Sequence, residues 1–157
     1  MALIVQKYGG TSVANIEKIR GIAERVVRHH NEGHQIVVVL SAMAGQTDFL
    51  IQLAREMTDD PDPRELDVLM STGEQISVAL FAMAVKNIGH DARSFLGFQV
   101  AIHTDNFYGK ARIHTIETDR IKKELQQGRI VTVAGFQGLD ENGDITTLGR
   151  GGSDTTA

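Results

Sequence analysis

Five consecutive aliphatic residues, Ile36-Val37-Val38-Val39-Leu40, constrain the fold of this chain more than any other stretch. A strand with one wet face alternates apolar and polar residues, so an unbroken aliphatic run reads as a central parallel strand covered on both faces. Parallel neighbours need a crossover between them, and the preceding residues supply one. "ALIVQKYG" is an apolar strand that stops at a glycine pair. Ile16, Ile19, Ile22, Ala23, Val26 and Val27 then recur at spacings of three and four as one helical stripe, with Gly33 as the stop. Strands near 2 to 8 and 36 to 41, with a helix near 15 to 30 between them, are therefore expected. A second helix near 47 to 57 carries Phe49, Leu50, Leu53, Ala54 and Met57.

Further along, "DDPDPRE" reads as a surface turn, after which "LDVLM" resumes a short helix that stops near Ser71. Ser71 and Glu74 have capping-box spacing before a helix near 74 to 87, apolar nearly all round and so buried between layers, with Gly89 as its stop. "ARSFLG" and "QVAIHT" are short strand candidates, "HTD" at 103 to 105 reads as a loop, and "DRIKKELQQG" is a solvent-facing helix. "RIVTVAGF" is another buried strand, near 130 to 135. The expected fold class is an α/β layered sandwich with a mostly parallel sheet.

Composition removes several chemistries. The 157 residues include no cysteine, which excludes disulfides, zinc–thiolate sites and a cysteine nucleophile. A formal charge of −4 without any dense basic tract argues against a nucleic-acid surface. The opening "MALIVQKYGG" is too short for a signal-peptide core, and the apolar stretch near 76 to 85 is too short to span a bilayer, so the cytoplasm is expected. The six histidines show no metal-binding spacing.

Glycines and hydroxyls cluster after the apolar strands, in "KYGGTS", "SAMAGQT", "GFQG" and "LGRGGSD". Loops at the carboxyl ends of strands in an α/β sheet share one rim, so these four can face a single crevice. Glycine lets backbone N–H groups approach a ligand, hydroxyls add donors, and such a rim suits an anionic or phosphate-bearing ligand. Tight turns that any α/β fold needs are the alternative. Neither standard nucleotide signature is present. Gly109-Lys110 continues with Ala111, which fails the P-loop, and Asp154 stands where a dinucleotide fingerprint needs its third glycine.

The charged residues within these loops narrow the chemistry. Lys7, at the end of the first strand, can neutralise a transferring phosphoryl group or be an ordinary surface lysine. Asp154 can cap a helix, or orient Lys7 and help position Mg²⁺. Arg150 has a guanidinium fork suited to a carboxylate. Glu74 suits the capping box and equally suits an ammonium group beside the crevice. An arginine for a carboxylate and a glutamate for an amine together describe an amino-acid substrate. Lys7, Arg150 and Asp154 are then expected around one concavity, within about 12 Å.

With these residues in order, the chain resembles the amino-acid kinase superfamily, and within it the aspartate kinases, through "KYGGTS", "SAMAGQT", "STGEQ", "GFQG" and "TLGRGGSDTTA". The resemblance implies transfer of the ATP γ-phosphoryl group to the side-chain carboxylate of L-aspartate, toward lysine, threonine and methionine, with Mg²⁺ as cofactor and self-association of the complete enzyme. It implies catalytic roles for Lys7 and Asp154, and phosphate contacts from Lys7, Gly9, Gly10, Ser12, Gly151, Gly152 and Ser153, with Thr11 also lining the site. Ser41, Thr47, Glu74, Arg150 and Ser153 would bind substrate, Glu74 toward the amino group. In that family the catalytic domain continues into a nucleotide-holding segment and paired ACT domains. The 157 residues are accordingly expected to be the amino-terminal portion of such a catalytic domain, inactive alone.

Overall fold

The expected strand–helix–strand unit forms β1 (Leu3–Tyr8), α1 (Ile16–Asn31) and β2 (Gln35–Leu40). The computed structural model describes residues 1–149 and 151–157. The next elements are α2 (Gln46–Met57), α3 (Pro63–Asn87), β3 (Ala92–Phe95) and a 3₁₀ turn at Gly97–Val100. They are followed by β4 (Ile102–Thr104), β5 (Ile113–Ile116), α4 (Asp119–Gln126), β6 (Ile130–Ala134), β7 (Gln137–Leu139), β8 (Ile145–Thr147) and α5 (Gly152–Thr156).

Four strands make an all-parallel sheet in the order β1-β2-β6-β3, with Lys7 beside Val39 and Leu40 beside Ala134. One face is covered by α1 and α3, where Ile19, Ile22, Val26, Val78, Phe81 and Val85 pack on Ile36, Val38 and Leu40. On the other face, Val37, Val131 and Val133 meet Phe95, Val100, Ile102 and Leu125. The aliphatic run in β2 is thus covered on both sides, which explains why no residue in it can be polar.

Two expectations need correction. The first concerns α3. It is one 25-residue helix starting at Pro63, not a short helix followed by a second capped at Ser71. Asp62 is the cap, accepting from Glu65 N, and proline at the first position needs no donor there. Ser71 and Thr72 stay helical because their hydroxyls donate back to the Val68 and Leu69 carbonyls. Gly73 is a close-approach residue: a Cβ there would stand 2.8 Å from Ala42 Cβ. The apolar stretch near 76 to 85 therefore belongs to a helix long and apolar enough, by length and composition alone, to cross a membrane. Its Val78, Phe81 and Val85 are buried against the sheet.

The second correction concerns "HTD". His103 and Thr104 lie in β4, part of a separate mixed sheet ordered β5-β4-β7-β8, in which only β4 and β7 run parallel. Strands β3 and β4 formed within the "ARSFLG" and "QVAIHT" candidates, whereas β5, β7 and β8 are too short for periodicity to reveal. The fourth glycine loop therefore follows a strand of this smaller sheet, while the other three follow β1, β2 and β6 of the parallel one.

Candidate active site

The four loops converge on a crevice of about 400 Å³. Lys7, Gly9 and Gly10 come from the end of β1, and Ser41 to Gly45 from the loop after β2. Thr47 and Asp48 come from α2, Glu74 from α3, and Phe136 from the turn after β6. Gly149, Gly151, Gly152, Ser153 and Asp154 close the far side. Arg150 lies outside the described residues. Ser12 and Thr11 face a neighbouring depression with Tyr8, Lys18 and Arg25 instead. A larger hollow of about 580 Å³ between α1 and α3 is lined by Ile16, Leu80, Met83 and Ile88, with no convergence of the loops.

Within the crevice, Lys7 Nζ pairs with Asp154 Oδ1 at 2.7 Å, well inside the expected separation. Asp154 lies inside α5, whose cap position is Gly151, so its carboxylate is not the cap. It holds the lysine instead. Lys7 is about a quarter exposed, which leaves its ammonium within reach of a ligand. Ser41 Oγ donates to Ser153 Oγ at 3.0 Å and joins the β2 loop to the final loop. That approach depends on Gly135, where a Cβ would meet Ser153 Oγ at 2.7 Å. Phe136 adopts φ of 70°, a conformation that an aromatic residue holds only when its surroundings fix it. Its carbonyl accepts from Leu148 N at 2.7 Å.

Glu74 is the unusual group. It is 3% exposed, and Oε1 accepts from Ala42 N at 3.1 Å, while Oε2 is buried without a partner among the described residues. Burial pushes its carboxyl up to about 7, against the hydrogen bonds that favour the charged form. A buried carboxylate with an empty oxygen beside a crevice calls for a cation. Sequence reasoning missed Gln137 of the second sheet and Asp67 of α3, through which the helix is tied to that sheet. In "GFQG" the glycines carry the signal, and nothing in the pattern marks its glutamine.

The amino acid kinase family profile matches residues 2–157. The chain belongs to this family. It is 58% identical over 156 residues to the aspartate kinase of Pseudomonas putida, covering 99% of the chain and 38% of that relative. It is 52% identical over 157 residues to aspartokinase 2 of Bacillus subtilis, again with 38% of the relative covered. Among solved structures, aspartate kinase from Synechocystis superposes with a TM-score of 0.81 at 45% identity, over 98% of this chain and 25% of that one. E. coli aspartokinase III in complex with aspartate and ADP gives 0.85 at 26% identity, over 100% of this chain and 45% of that one. The chain therefore spans less than half the length of each of these relatives. As an amino acid kinase family member, it carries the α/β fold with a mostly parallel sheet that its structural neighbours share.

Proposed function

We propose that this chain forms the amino-acid and γ-phosphate side of a cytoplasmic kinase that phosphorylates the side-chain carboxylate of L-aspartate with ATP. One observation carries the reading: Oε2 of Glu74, buried and without a partner among the described residues, shares a crevice with the Lys7–Asp154 pair. The free oxygen is a seat for the substrate ammonium, and Arg150 is the proposed partner for a substrate carboxylate. The kinship with proteins named aspartate kinase, and with a structure holding aspartate and ADP, supports the choice of substrate.

The chemistry needs little covalent machinery. A carboxylate oxygen of aspartate forms a bond to the γ-phosphorus, the bond from that phosphorus to the bridging oxygen breaks, and ADP leaves with the electron pair. No proton is removed from the nucleophile, so no general base is required. Lys7 sits where it offsets the repulsion between two anions, and Asp154 keeps its ammonium aimed into the crevice. Gly9, Gly10, Gly151, Gly152 and Ser153 are the proposed phosphate contacts, and Ser41 and Thr47 complete the amino-acid side. Ser12 contributes to phosphate binding in this reading only from beyond the crevice wall.

Among the described residues there is no group of three histidines or carboxylates able to hold a metal. The fit to Mg²⁺ as a resident ion is therefore poor, and in this reading the ion is held chiefly by the nucleotide's own phosphates. The adenosine end and any self-association are assigned to sequence that the relatives have beyond this match. The reading is tested by assaying ATP-dependent acyl-phosphate formation, trapped with hydroxylamine, on a chain extended to the relatives' length. Activity with L-aspartate, lowered about 100-fold or more in kcat by Lys7→Ala, is expected. Full activity in that variant rejects the phosphoryl role of Lys7.

A further inference from the structure

Three turns on one face of α3 are held from outside the helix. Asp67 accepts from Thr147 N and Oγ1, both at 2.7 Å, and from Gly109 N at 2.9 Å. One turn on, the Ser71 carbonyl accepts from Gln137 Nε2 at 2.9 Å, while Gln137 Oε1 accepts from Gly97 N at 3.0 Å. The following turn carries Glu74. Gln137 and Thr147 are direct partners across β7 and β8, so the first two ties come from a single rung of one hairpin. Asp67, Ser71, Gln137 and Thr147 are all at most 1% exposed.

The ends of that hairpin run into the crevice. Phe136 immediately precedes β7 and Gly149 lies two residues after β8, and both line the cavity. Elsewhere α3 rests on the parallel sheet through Val78, Phe81 and Val85, non-directional contacts that fix its position along the axis less sharply than hydrogen bonds do. Directional bonds at Asp67 and Ser71 remove that freedom. A buried amide is unfavourable unless both its ends are paired, so Gln137 is a stiff strut.

We propose that the Gln137–Thr147 rung is a gauge: it fixes the gap between Glu74 and the loops on the opposite wall, and so selects the length of the amino acid that fits between them. Gln137 is a positioning residue that acts through α3 without touching substrate. The length selection rests on the amino-acid reading given above, whereas the gauge itself does not. Aspartate and glutamate differ by one methylene, close to the rise of one helical residue, about 1.5 Å. A helix free to slide by that amount would accept both.

Gln137→Met keeps the side chain's length and removes both bonds. In the 157-residue chain, the carboxyl carbon of Glu74 is followed by NMR across pH, and L-aspartate and L-glutamate are titrated by calorimetry. The gauge predicts a folded variant whose Glu74 midpoint falls by about one pH unit as water reaches Oε2. It also predicts an aspartate preference over glutamate reduced about tenfold. A folded variant with the parent's midpoint and preference overturns it. A parent chain that binds neither amino acid overturns the length selection together with the functional reading, and the midpoint then decides the gauge alone. Should Gln137→Met fail to fold, Thr147→Val removes one bond to Asp67 and is expected to move Glu74 in the same direction by a smaller step. An unmoved Glu74 in that variant overturns the gauge equally.

Discussion

Two carboxylates sit two turns apart on the same helix, both nearly inaccessible to water, and they differ in one respect. Asp67, 1% exposed, accepts three hydrogen bonds. Glu74, 3% exposed, accepts from Ala42 N and keeps one oxygen without a partner among the described residues. Burial raises both from their ordinary values, and at Asp67 the bonds from Thr147 and Gly109 oppose it. Burial alone therefore does not distinguish a structural acid from a functional one. The count of partners separates them: Asp67 is satisfied by its own fold, whereas Glu74 has an oxygen open toward a crevice, which the proposed function reserves for a ligand.

The sharpest way to break this contrast is to make the same chemical change at both places. Asp67→Asn turns an acceptor into a donor facing Thr147 or Gly109 and is expected to destabilise the chain by about 3 kcal/mol in urea unfolding. Glu74→Gln is expected to do the opposite. The folded carboxyl of Glu74 lies near 7 and the unfolded reference at 4.5, so the folded state prefers the protonated form. Stability associated with Glu74 is then full below about pH 4.5 and is lost as the pH rises through about 7. At pH 8 the glutamine variant escapes that loss and should be more stable by roughly 2 to 3 kcal/mol, with the difference vanishing near pH 4. A glutamine variant less stable than its parent at pH 8 would show that Glu74 already has a partner in the fold.

A smaller effect sharpens the geometry around Glu74. Gly73→Ala places a methyl group against Ala42, the residue whose N–H bonds Glu74, and should cost about 1 to 2 kcal/mol in unfolding measurements. An unchanged stability would mean that α3 and the β2 loop approach less closely than described. Smallest of all is Asp154→Asn. The Lys7–Asp154 pair is partly solvated, so stability should change by less than about 0.5 kcal/mol although the lysine loses its orienting carboxylate.

The sequence was legible where a physical rule leaves few alternatives. The Ile36–Leu40 run could only be a doubly covered strand, and the stripe from Ile16 to Val27 only one face of a helix, and both elements formed within a residue or two of the reading. The convergence of three glycine loops followed from strand-end geometry, and the fourth reaches the same crevice from the second sheet. Legibility failed at "MSTGE", where serine, threonine and glycine read as a break. Their hydroxyls bond backward within α3, and the glycine admits a neighbouring loop. It failed again in the second sheet, because Gln137–Leu139 and Ile145–Thr147 are too short to show a period. Glu74 was singled out from its place near the crevice, but its orphaned oxygen is a three-dimensional fact that spacing alone does not reveal.

The central claim is that Glu74 Oε2 is held open for the substrate's ammonium, and it is tested most directly by titrating the Glu74 carboxyl by NMR with and without saturating L-aspartate. A cation on Oε2 favours the charged form, so the midpoint should fall from about 7 in the free chain to near or below 4.5 in the bound one, and succinate, which lacks the amine, should leave it in place. A midpoint that L-aspartate does not move, in a chain shown to bind it, would contradict the account.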